Sequence, residues 1–388
     1  MSLQVKVFNE IALIDAQQWN ALVEDNNPFL RHEFLNALET HHCVGKNGRE
    51  KFGWLPRHLA IYQNEEMVAA MPLYEKYNSY GEFVFDQSWA EAWQQNGLQY
   101  FPKLVSSIPY TPTLGQRFLI KAGTASETIM PLFLDALKDV ASQLSVSGFH
   151  ILFPLDNQLE WLKTQNMLIR HDCQFHWHNK NYQNFDDFLA QFSSRKRKNI
   201  IKERQSVAQS GVTLKRLNGH QASAQDWQKM AHFYERTFKE KWGTPTLNYD
   251  FFQAIAQQLP DQVLLVLAEL DGECIAGSLM FLSDTRLYGR FWGCDKTIKG
   301  LHFEACYYQG IEYCIENNLS VFEPGAQGEH KVSRGFVPTL TRSAHYLMQD
   351  HFKQSLEQFV EHEKNHVLKY IDEINQHLPY KKQIGKSP

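Results

Sequence analysis

Two 25-residue segments of the chain resemble each other, and this internal repeat limits the possible folds more than any other feature of the sequence. Residues 59–83 align without a gap with residues 267–291, and six aligned positions are identical. Average composition would give roughly one or two identities by chance. Upstream, residues 27–38 match residues 244–255, so the similarity extends over more than one predicted element. The chain is therefore predicted to contain two related halves.

Both halves have the same order of predicted elements. An amphipathic helix precedes a β-hairpin, which turns at QNEE in the first half and at DGE in the second. A third strand is predicted to contain YGEF or YGRF, and a helix and another strand follow. This order is that of the GNAT acetyltransferase fold. We therefore predict an α/β (α+β) protein with two tandem GNAT-type domains, residues 1–180 and 181–388, and a C-terminal helix over 352–378.

Composition excludes several classes of protein. The 388-residue chain is 43% hydrophobic and 21% charged, as in ordinary soluble domains. A net charge of -4 argues against a general DNA-binding protein, so contact with a nucleic acid would need a local basic patch. The sequence shows no signal-like apolar core and no run long enough to span a bilayer, which predicts a cytoplasmic protein. The six cysteines form no CxxC pair and are expected to be reduced.

The segment FEPGAQGEHKVSRGF, residues 322–336, is the best candidate for a catalytic loop. It follows a predicted apolar strand, and its three glycines allow positive φ angles and close approach of a ligand to the backbone. Transfer of an acyl group to an amine needs a base, fixed donors for the oxyanion, and cations when the donor carries phosphate. Glu323 and His330 are the candidate bases, and Lys331 is the candidate for oxyanion or phosphate binding.

Further residues are predicted to bind substrate. Arg334 could hold a phosphate, and the second domain is expected to be the catalytic one, with the loop lining a cavity between the domains. His176 and His178 share one face of a predicted strand, but no further ligand cluster at metal spacing supports zinc, so no metal is predicted. The remaining candidates for substrate binding are Gln327, His302, Glu304 and, in the acceptor-binding first domain, Tyr80.

A basic segment, SSRKRKNIIKERQSVAQSGV at residues 193–212, is predicted to be a helix with one apolar side. Its cations form the best candidate surface for a phosphate-bearing donor, although a solvated helix face is the usual meaning of such a run. The predicted donor-binding or polyanion-binding residues are Arg195, Lys196, Lys198 and Lys202.

The same basic segment, together with FDDFLAQF, HFEACYYQGIEYCIENN and FEPGAQGEHK, resembles a bacterial group described as FemAB-like. The resemblance implies a Fem-type aminoacyl or acyl transferase and a link to peptidoglycan precursors. One stretch departs from the acetyl-CoA-binding pattern, because CDKTIKGLHFEA has Thr297 and His302 where that pattern needs other residues. This departure favours a bulkier donor, such as aminoacyl-tRNA, over acyl-CoA.

The leading hypothesis is therefore an N-acyltransferase that moves an acyl or aminoacyl group from an activated donor to a small-molecule or peptide amine. No tightly bound cofactor is expected, and tRNA is a candidate partner. Two alternatives stay open. One is a CoA-dependent N-acetyltransferase, and the other is a non-catalytic tandem GNAT-fold protein that binds RNA or a partner through residues 195–204.

Overall fold

The structure is a computed structural model of the chain, and it describes residues 2–45, 52–241, 243–326, 328–349 and 352–381. Within these residues, no helix is long and apolar enough to cross a membrane. The strands are β1 Leu3–Phe8, β2 Trp54–Pro56, β3 His58–Gln63, β4 Glu66–Met71, β5 Tyr74–Lys76, β6 Lys103–Ser106, β7 Leu119–Ile120, β8 Gly148–Leu152, β9 Leu168–His178, β10 Thr213–Leu217, β11 Val263–Leu270, β12 Glu273–Leu282, β13 Arg286–Cys294, β14 Val321–Glu323 and β15 Val337–Leu347.

Helices connect most of these strands. The α-helices are α1 Ala16–Asn20, α2 His32–Thr40, α3 Gln87–Gln95, α4 Ser126–Gln143, α5 Asp156–Lys163, α6 Phe185–Ala190, α7 Ser194–Gln209, α8 Ala224–Glu240, α9 Tyr249–Gln258, α10 Leu301–Phe303, α11 Gln309–Glu316 and α12 Lys353–Asn375. Between α10 and α11 the helix widens into a π-helical turn, Glu304–Tyr308. The short 3₁₀ helices are Ile11–Leu13, Glu24–Asn26, Pro28–Leu30, Pro260–Gln262 and Glu329–Arg334.

The chain divides into two compact units. The first contains Met1–Asp172 and Thr341–Leu368, and the second contains Cys173–Leu340 and Lys369–Pro388. The predicted boundary at residue 180 assigned all of the C-terminal region to the second domain. In the structure, residues 343–347 of β15 instead pair with residues 148–152 of β8 in the first unit. Pairing over so long a sequence separation is set by side-chain packing and leaves no local signal in the sequence.

The first unit contains two runs of paired strands. One is a four-stranded sheet in the order β1-β3-β4-β7, and the other has the order β15-β8-β6-β5-β2. The long helix α4 turns an apolar face with Phe133, Leu134 and Leu137 into the core of this unit.

The second unit is built on strands in the order β10-β11-β12-β13-β14-β9. Strands β10 to β13 are antiparallel, and β13 and β14 are parallel. Its core is rich in aromatic side chains, with Trp177, Phe188, Tyr308 and Phe322 almost wholly inaccessible to solvent. The basic segment is helical, as predicted, because Ile200 and Val207 on one side of α7 are buried.

The repeated order of elements is present in both units, and the predicted fold class is confirmed. In the first unit β1 pairs with β3 and β3 with β4, and in the second β10 pairs with β11 and β11 with β12, all antiparallel. The aligned residues Leu59 and Leu267 lie in the corresponding strands β3 and β11.

The predicted third strand of the first half, at YGEF, is wrong. Residues 80–83 form a turn, in which Gly81 has a φ of 80° and Phe83 a φ of 60°. Two positive φ angles within three residues are incompatible with an extended strand. The aligned residues Tyr288, Gly289 and Phe291 lie inside β13, so the same letters adopt different backbones in the two units.

Candidate functional site

The candidate site in the second unit lies where the parallel strands β13 and β14 stop pairing. Strands β13 and β14 pair only over residues 286–288 and 321–323, although β13 continues to Cys294. The register between β12 and β13 shifts between Leu279 and Met280, which leaves Arg290 as the additional residue of a β-bulge. Bulges bend a strand and are frequent beside active sites. The opening between the strands is therefore placed directly beside the predicted catalytic loop.

The glycines of the loop have the backbone conformations that the sequence predicted. Gly325, Gly328 and Gly335 have φ angles of 98°, 115° and 94°. A Cβ atom on Gly328 would lie 2.4 Å from the His330 ring, and a Cβ atom on Gly289 would lie 3.2 Å from the backbone of Pro324. The missing side chains therefore allow the loop to approach both β13 and its own 3₁₀ helix.

Lys331 turns inward from the loop and is 2% exposed. Its Nζ atom donates a hydrogen bond to the Gly325 carbonyl at 2.6 Å, and within the described residues it forms no ion pair with a carboxylate. Burial lowers the pKa of Lys331 to about 7, a shift that Cys306 opposes and Arg290 reinforces. Near neutral pH, Lys331 is therefore a mixture of neutral and charged forms, whereas the sequence predicted a lysine that is always charged.

Glu323, at the end of β14, is 2% exposed. Its Oε1 atom accepts a hydrogen bond from Arg286 at 2.9 Å, and its Oε2 atom lies 4.0 Å from His176 Nε2. Burial lowers the pKa of His176 to about 3, so this ring is neutral and Arg286 provides the charge partner of the carboxylate. A carboxylate held by a guanidinium is a poor base, which makes Glu323 more suited to positioning than to proton transfer.

The other predicted base, His330, is exposed, and it belongs to a cluster of rings beside the π-helical turn. Its Nε2 atom lies 2.9 Å from the Tyr307 hydroxyl, and its ring centroid lies 6.3 Å from that of His302. Burial lowers the pKa of His302 to about 4, and His330, Arg334 and Lys331 add to the shift. Since π-helical turns are frequent at functional sites, this cluster is a second wall of the candidate site.

Two ion pairs attach the basic helix α7 to the loop and to the π-helical turn. Arg334 donates to Glu203 at 2.8 Å, and its guanidinium lies 3.3 Å from the centroid of the Phe303 ring. The Nε and Nη2 atoms of Arg204 donate hydrogen bonds to the Glu304 carboxylate at 3.0 to 3.2 Å. Arg334 and Glu304 were predicted to bind substrate. In these contacts they hold α7 against the loop and the π-helical turn.

The cations proposed to bind the donor have a different environment. Arg195, Lys198 and Lys202 are exposed and Lys196 is half-buried. Among the described residues, no carboxylate forms an ion pair with any of the four, in contrast to Arg204 on the same helix. They remain available to an anionic partner.

Two predicted substrate-binding residues, His178 and Tyr80, lie on other elements than this ring cluster, and a third lies outside the described residues. His178 is exposed at the end of β9, where it pairs across the ladder with Val321. Tyr80 belongs to the first unit, where its ring stacks on Phe52 with centroids 6.1 Å apart. Gln327 lies outside the described residues. Across the residues that are described, no group of three or more His, Cys, Asp and Glu side chains is arranged to hold a metal ion.

Sequence reasoning missed several residues that shape the site. Arg286 and Arg290 on β13, and Cys306 and Tyr307 in the π-helical turn, act on Glu323, Lys331 or His330. Arg290 stands in the repeated YGRF segment, which was interpreted only as a strand. No signal in the sequence marks the π-helical turn.

Comparison with known proteins identifies the family. The sequence model of the FemAB-like family, described as peptidoglycan biosynthesis/recognition, matches residues 10–382. The chain therefore belongs to the FemAB-like family. Among curated proteins, no sequence matches this one.

Solved structures share the fold at low sequence identity. The crystal structure of FemX is 12% identical, with a TM-score of 0.53, and the alignment covers 92% of this chain and 100% of FemX. The C-terminal domain of a putative lysylphosphatidylglycerol synthetase from Agrobacterium fabrum is 8% identical, with a TM-score of 0.53 and coverage of 91% and 96%. The family description links the chain to peptidoglycan biosynthesis or recognition, and its fold is the one seen in FemX.

Proposed function

We propose that the protein transfers an acyl or aminoacyl group to an amine, with Lys331 as the general base. The observation that carries this proposal is a lysine that is 2% exposed, has a pKa lowered to about 7, and lies beside the parting of β13 and β14. A general base works best when its pKa is near the working pH. An ordinary surface lysine, with a pKa near 10.4, would be protonated and could not accept a proton.

In the proposed reaction the acceptor amine attacks the carbonyl carbon of the donor, and a C–N bond forms. Neutral Lys331 accepts the proton that the amine loses. The bond from the carbonyl carbon to the leaving oxygen or sulfur then breaks, and Lys331 returns the proton to that leaving atom. The Gly325 carbonyl, which accepts a hydrogen bond from Lys331 Nζ at 2.6 Å, holds the lysine side chain in position during the reaction.

Glu323 and His330 have supporting roles in this proposal. Glu323, bound to Arg286 at the end of β14, has a positioning role. His330 and Tyr307 form a hydrogen-bonded pair on the exposed side of the loop, where a substrate would enter. The acceptor class that the family description favours is the amine of a peptidoglycan precursor.

The donor is proposed to carry phosphate and to bind along α7, and aminoacyl-tRNA has this property. The support is the set of four cations on α7 that have no carboxylate partner among the described residues. Replacing Arg195, Lys196 and Lys198 by Ala should reduce the salt dependence of tRNA binding, because each lost phosphate contact lowers the slope by about 0.7–0.9. Binding measured between 50 and 200 mM salt tests this. If the unmodified protein fails to bind tRNA at 50 mM salt, the polyanionic donor is refuted.

The transfer itself is tested with two radiolabelled donors, total aminoacyl-tRNA and acetyl-CoA, and a muramyl pentapeptide that contains lysine. We expect label on the peptide amine with the unmodified protein and about a 10²–10⁴-fold lower rate for Lys331→Met. Lys331→Arg separates two roles, since arginine stays charged and could stabilise an oxyanion but could not accept a proton. The matched control is Lys299→Met, which removes an exposed lysine of the same unit. A Lys331→Met variant as active as the unmodified protein would refute the proposal.

A further inference from the structure

A cavity of about 220 Å³ lies in the first unit, and none of the candidate site residues predicted from the sequence lines it. Its wall combines apolar residues such as Phe85 with charged residues such as Arg170 and Glu363, and it includes Thr341 and Ser343. A cavity of this size has room for a small ligand.

Ser343 connects this cavity to two buried histidines. Its hydroxyl lies 2.7 Å from His345 Nε2, and His345 Nδ1 is hydrogen-bonded to His150 Nδ1. The arrangement follows from the sheet, because Ser343 and His345 are two residues apart on one face of β15, and His345 lies directly opposite His150 of β8. All three residues are at most 3% exposed.

Both histidine rings are uncharged, so each has one nitrogen that can accept a hydrogen bond. Burial lowers the pKa of both His150 and His345 well below the usual value, so the rings are neutral. With its proton on Nδ1, His345 donates to His150 Nδ1 and accepts from the Ser343 hydroxyl at Nε2. A nucleophile, a base within hydrogen-bond reach and a third group that orients the base are the parts of an activated hydroxyl.

Thr341 supplies a further part of such a site. It is 1% exposed and lines the same cavity, and its hydroxyl has no hydrogen-bond partner among the described residues. A buried hydroxyl without a partner is costly, and a ligand oxygen that accepts its hydrogen would remove that cost. In a serine-based reaction, the oxygen that needs a donor is the oxyanion of the tetrahedral intermediate.

We propose that Ser343 is a nucleophile that accepts an acyl group from small acyl esters in this cavity. The serine oxygen attacks the ester carbonyl carbon, and the hydroxyl proton moves to His345 Nε2. The ester C–O bond breaks, and His345 returns the proton to the departing alkoxide, which leaves as an alcohol. Water then attacks the acyl-serine by the same route, releasing the carboxylic acid and restoring the serine hydroxyl.

His150 acts as a positioning residue that holds the His345 ring. A serine–histidine contact made only for packing would not require that Ser343 also line a cavity. The site belongs to the first unit and shares no residue with the proposed amine acylation, so either activity can fail without the other.

A fluorophosphonate probe tests this proposal, because it forms a stable bond to an activated serine oxygen and releases fluoride. We expect mass spectrometry of the unmodified protein to find one probe per chain on the peptide that contains Ser343. Labelling should vanish in Ser343→Ala and slow about 10²-fold in His345→Gln, which removes the base. The matched control is Ser106→Ala, a serine of the same unit that is 1% exposed and has no histidine partner in the described region.

Labelling should also be unchanged in Lys331→Met, which separates this site from the one in the second unit. Circular dichroism melting of each variant checks that the fold is retained. Absence of probe from the Ser343 peptide of the unmodified protein would overturn the proposal without reference to any variant. Equal labelling rates in a folded His345→Gln and the unmodified protein would overturn the role of the histidine and with it the activated serine.

Discussion

Lys103 in the first unit and Lys331 in the second are both buried, and their pKa values are shifted in opposite directions. Lys103 in the first unit is 0% exposed, and its Nζ atom contacts Glu82 at 2.8 Å and also Asp86. Burial opposes its charge, but the two carboxylates raise the pKa of Lys103 above the usual value. Lys331 in the second unit is buried as deeply, and its pKa falls to about 7.

The internal repeat explains part of this difference. Glu82 in YGEF aligns with Arg290 in YGRF, so one position of the repeat carries an acid in the first unit and a cation in the second. Glu82 raises the pKa of Lys103, whereas Arg290 lowers that of Lys331. Burial by itself therefore does not distinguish a structural lysine from a reactive one.

The largest effect on stability is expected from Lys103→Met, which removes the lysine that is paired with two carboxylates. Lys103→Met leaves Glu82 and Asp86 buried without their cation, and breaking a buried ion pair costs about 3–5 kcal/mol. Urea denaturation should show a loss of that size in the free energy of unfolding. The double change Lys103→Met with Glu82→Gln should recover part of the loss, because one buried charge is removed. A Lys103→Met variant as stable as the unmodified protein would mean that the network contributes nothing.

The stability contributed by the second lysine should depend on pH with a defined sign. Lys331 has a folded-state pKa of about 7 against an ordinary value of 10.5, so between these values the unfolded chain binds more protons. The free energy of unfolding should therefore rise with pH in this window by up to about 1.4 kcal/mol per unit. Lys331→Met should lose this rise. Comparing the two proteins by denaturation at pH 7, 8 and 9 isolates Lys331 from Lys76, whose pKa is also lowered to about 7.

The activity should follow the neutral form of Lys331. If the neutral amine is the base, kcat/KM should increase about tenfold per pH unit below 7 and level off above it. A pH–rate profile that is flat through this range, or that falls as pH rises through 7, contradicts the assignment. The exposed control variant Lys299→Met should retain the profile of the unmodified protein.

The smallest effect is expected from a change at Arg290, the residue that aligns with Glu82 in the repeat. Arg290→Gln removes a positive charge that lowers the pKa of Lys331, so the midpoint of the pH–rate profile should move to higher pH, by less than about one unit. The maximum rate should change less than the midpoint does. Movement of the midpoint to lower pH would show that Arg290 acts on Lys331 in some other way.

Local patterns in the sequence predicted elements well. The basic segment at 193–212 contains α7, and the helix predicted over 352–378 contains α12. Periodicity and turn residues are local, so they locate helices and hairpins. They also predicted the positive φ angles of the glycines in residues 322–336.

Features that depend on distant contacts were not predictable. The environment of Lys331 is set by Arg290 and Cys306, which lie 41 and 25 residues away in the chain. The pairing of His150 with His345 spans 195 residues and has no sequence pattern. The YGEF turn shows the limit most directly, since the repeat predicted a strand where Glu82 and Asp86 instead turn into the core to meet Lys103.

The return of residues 341–368 to the first unit sets the order in which the protein can be completed during synthesis. Chains emerge from the ribosome at about 5–20 residues per second, and N-terminal domains generally fold first. Here the first unit lacks β15 until the whole of Cys173–Leu340 has been made, so β8 waits with an unpaired edge for about 10–30 seconds. By the end of that interval the second unit has all of its sequence except Lys369–Pro388, so neither unit is complete until the last part of the chain has been made.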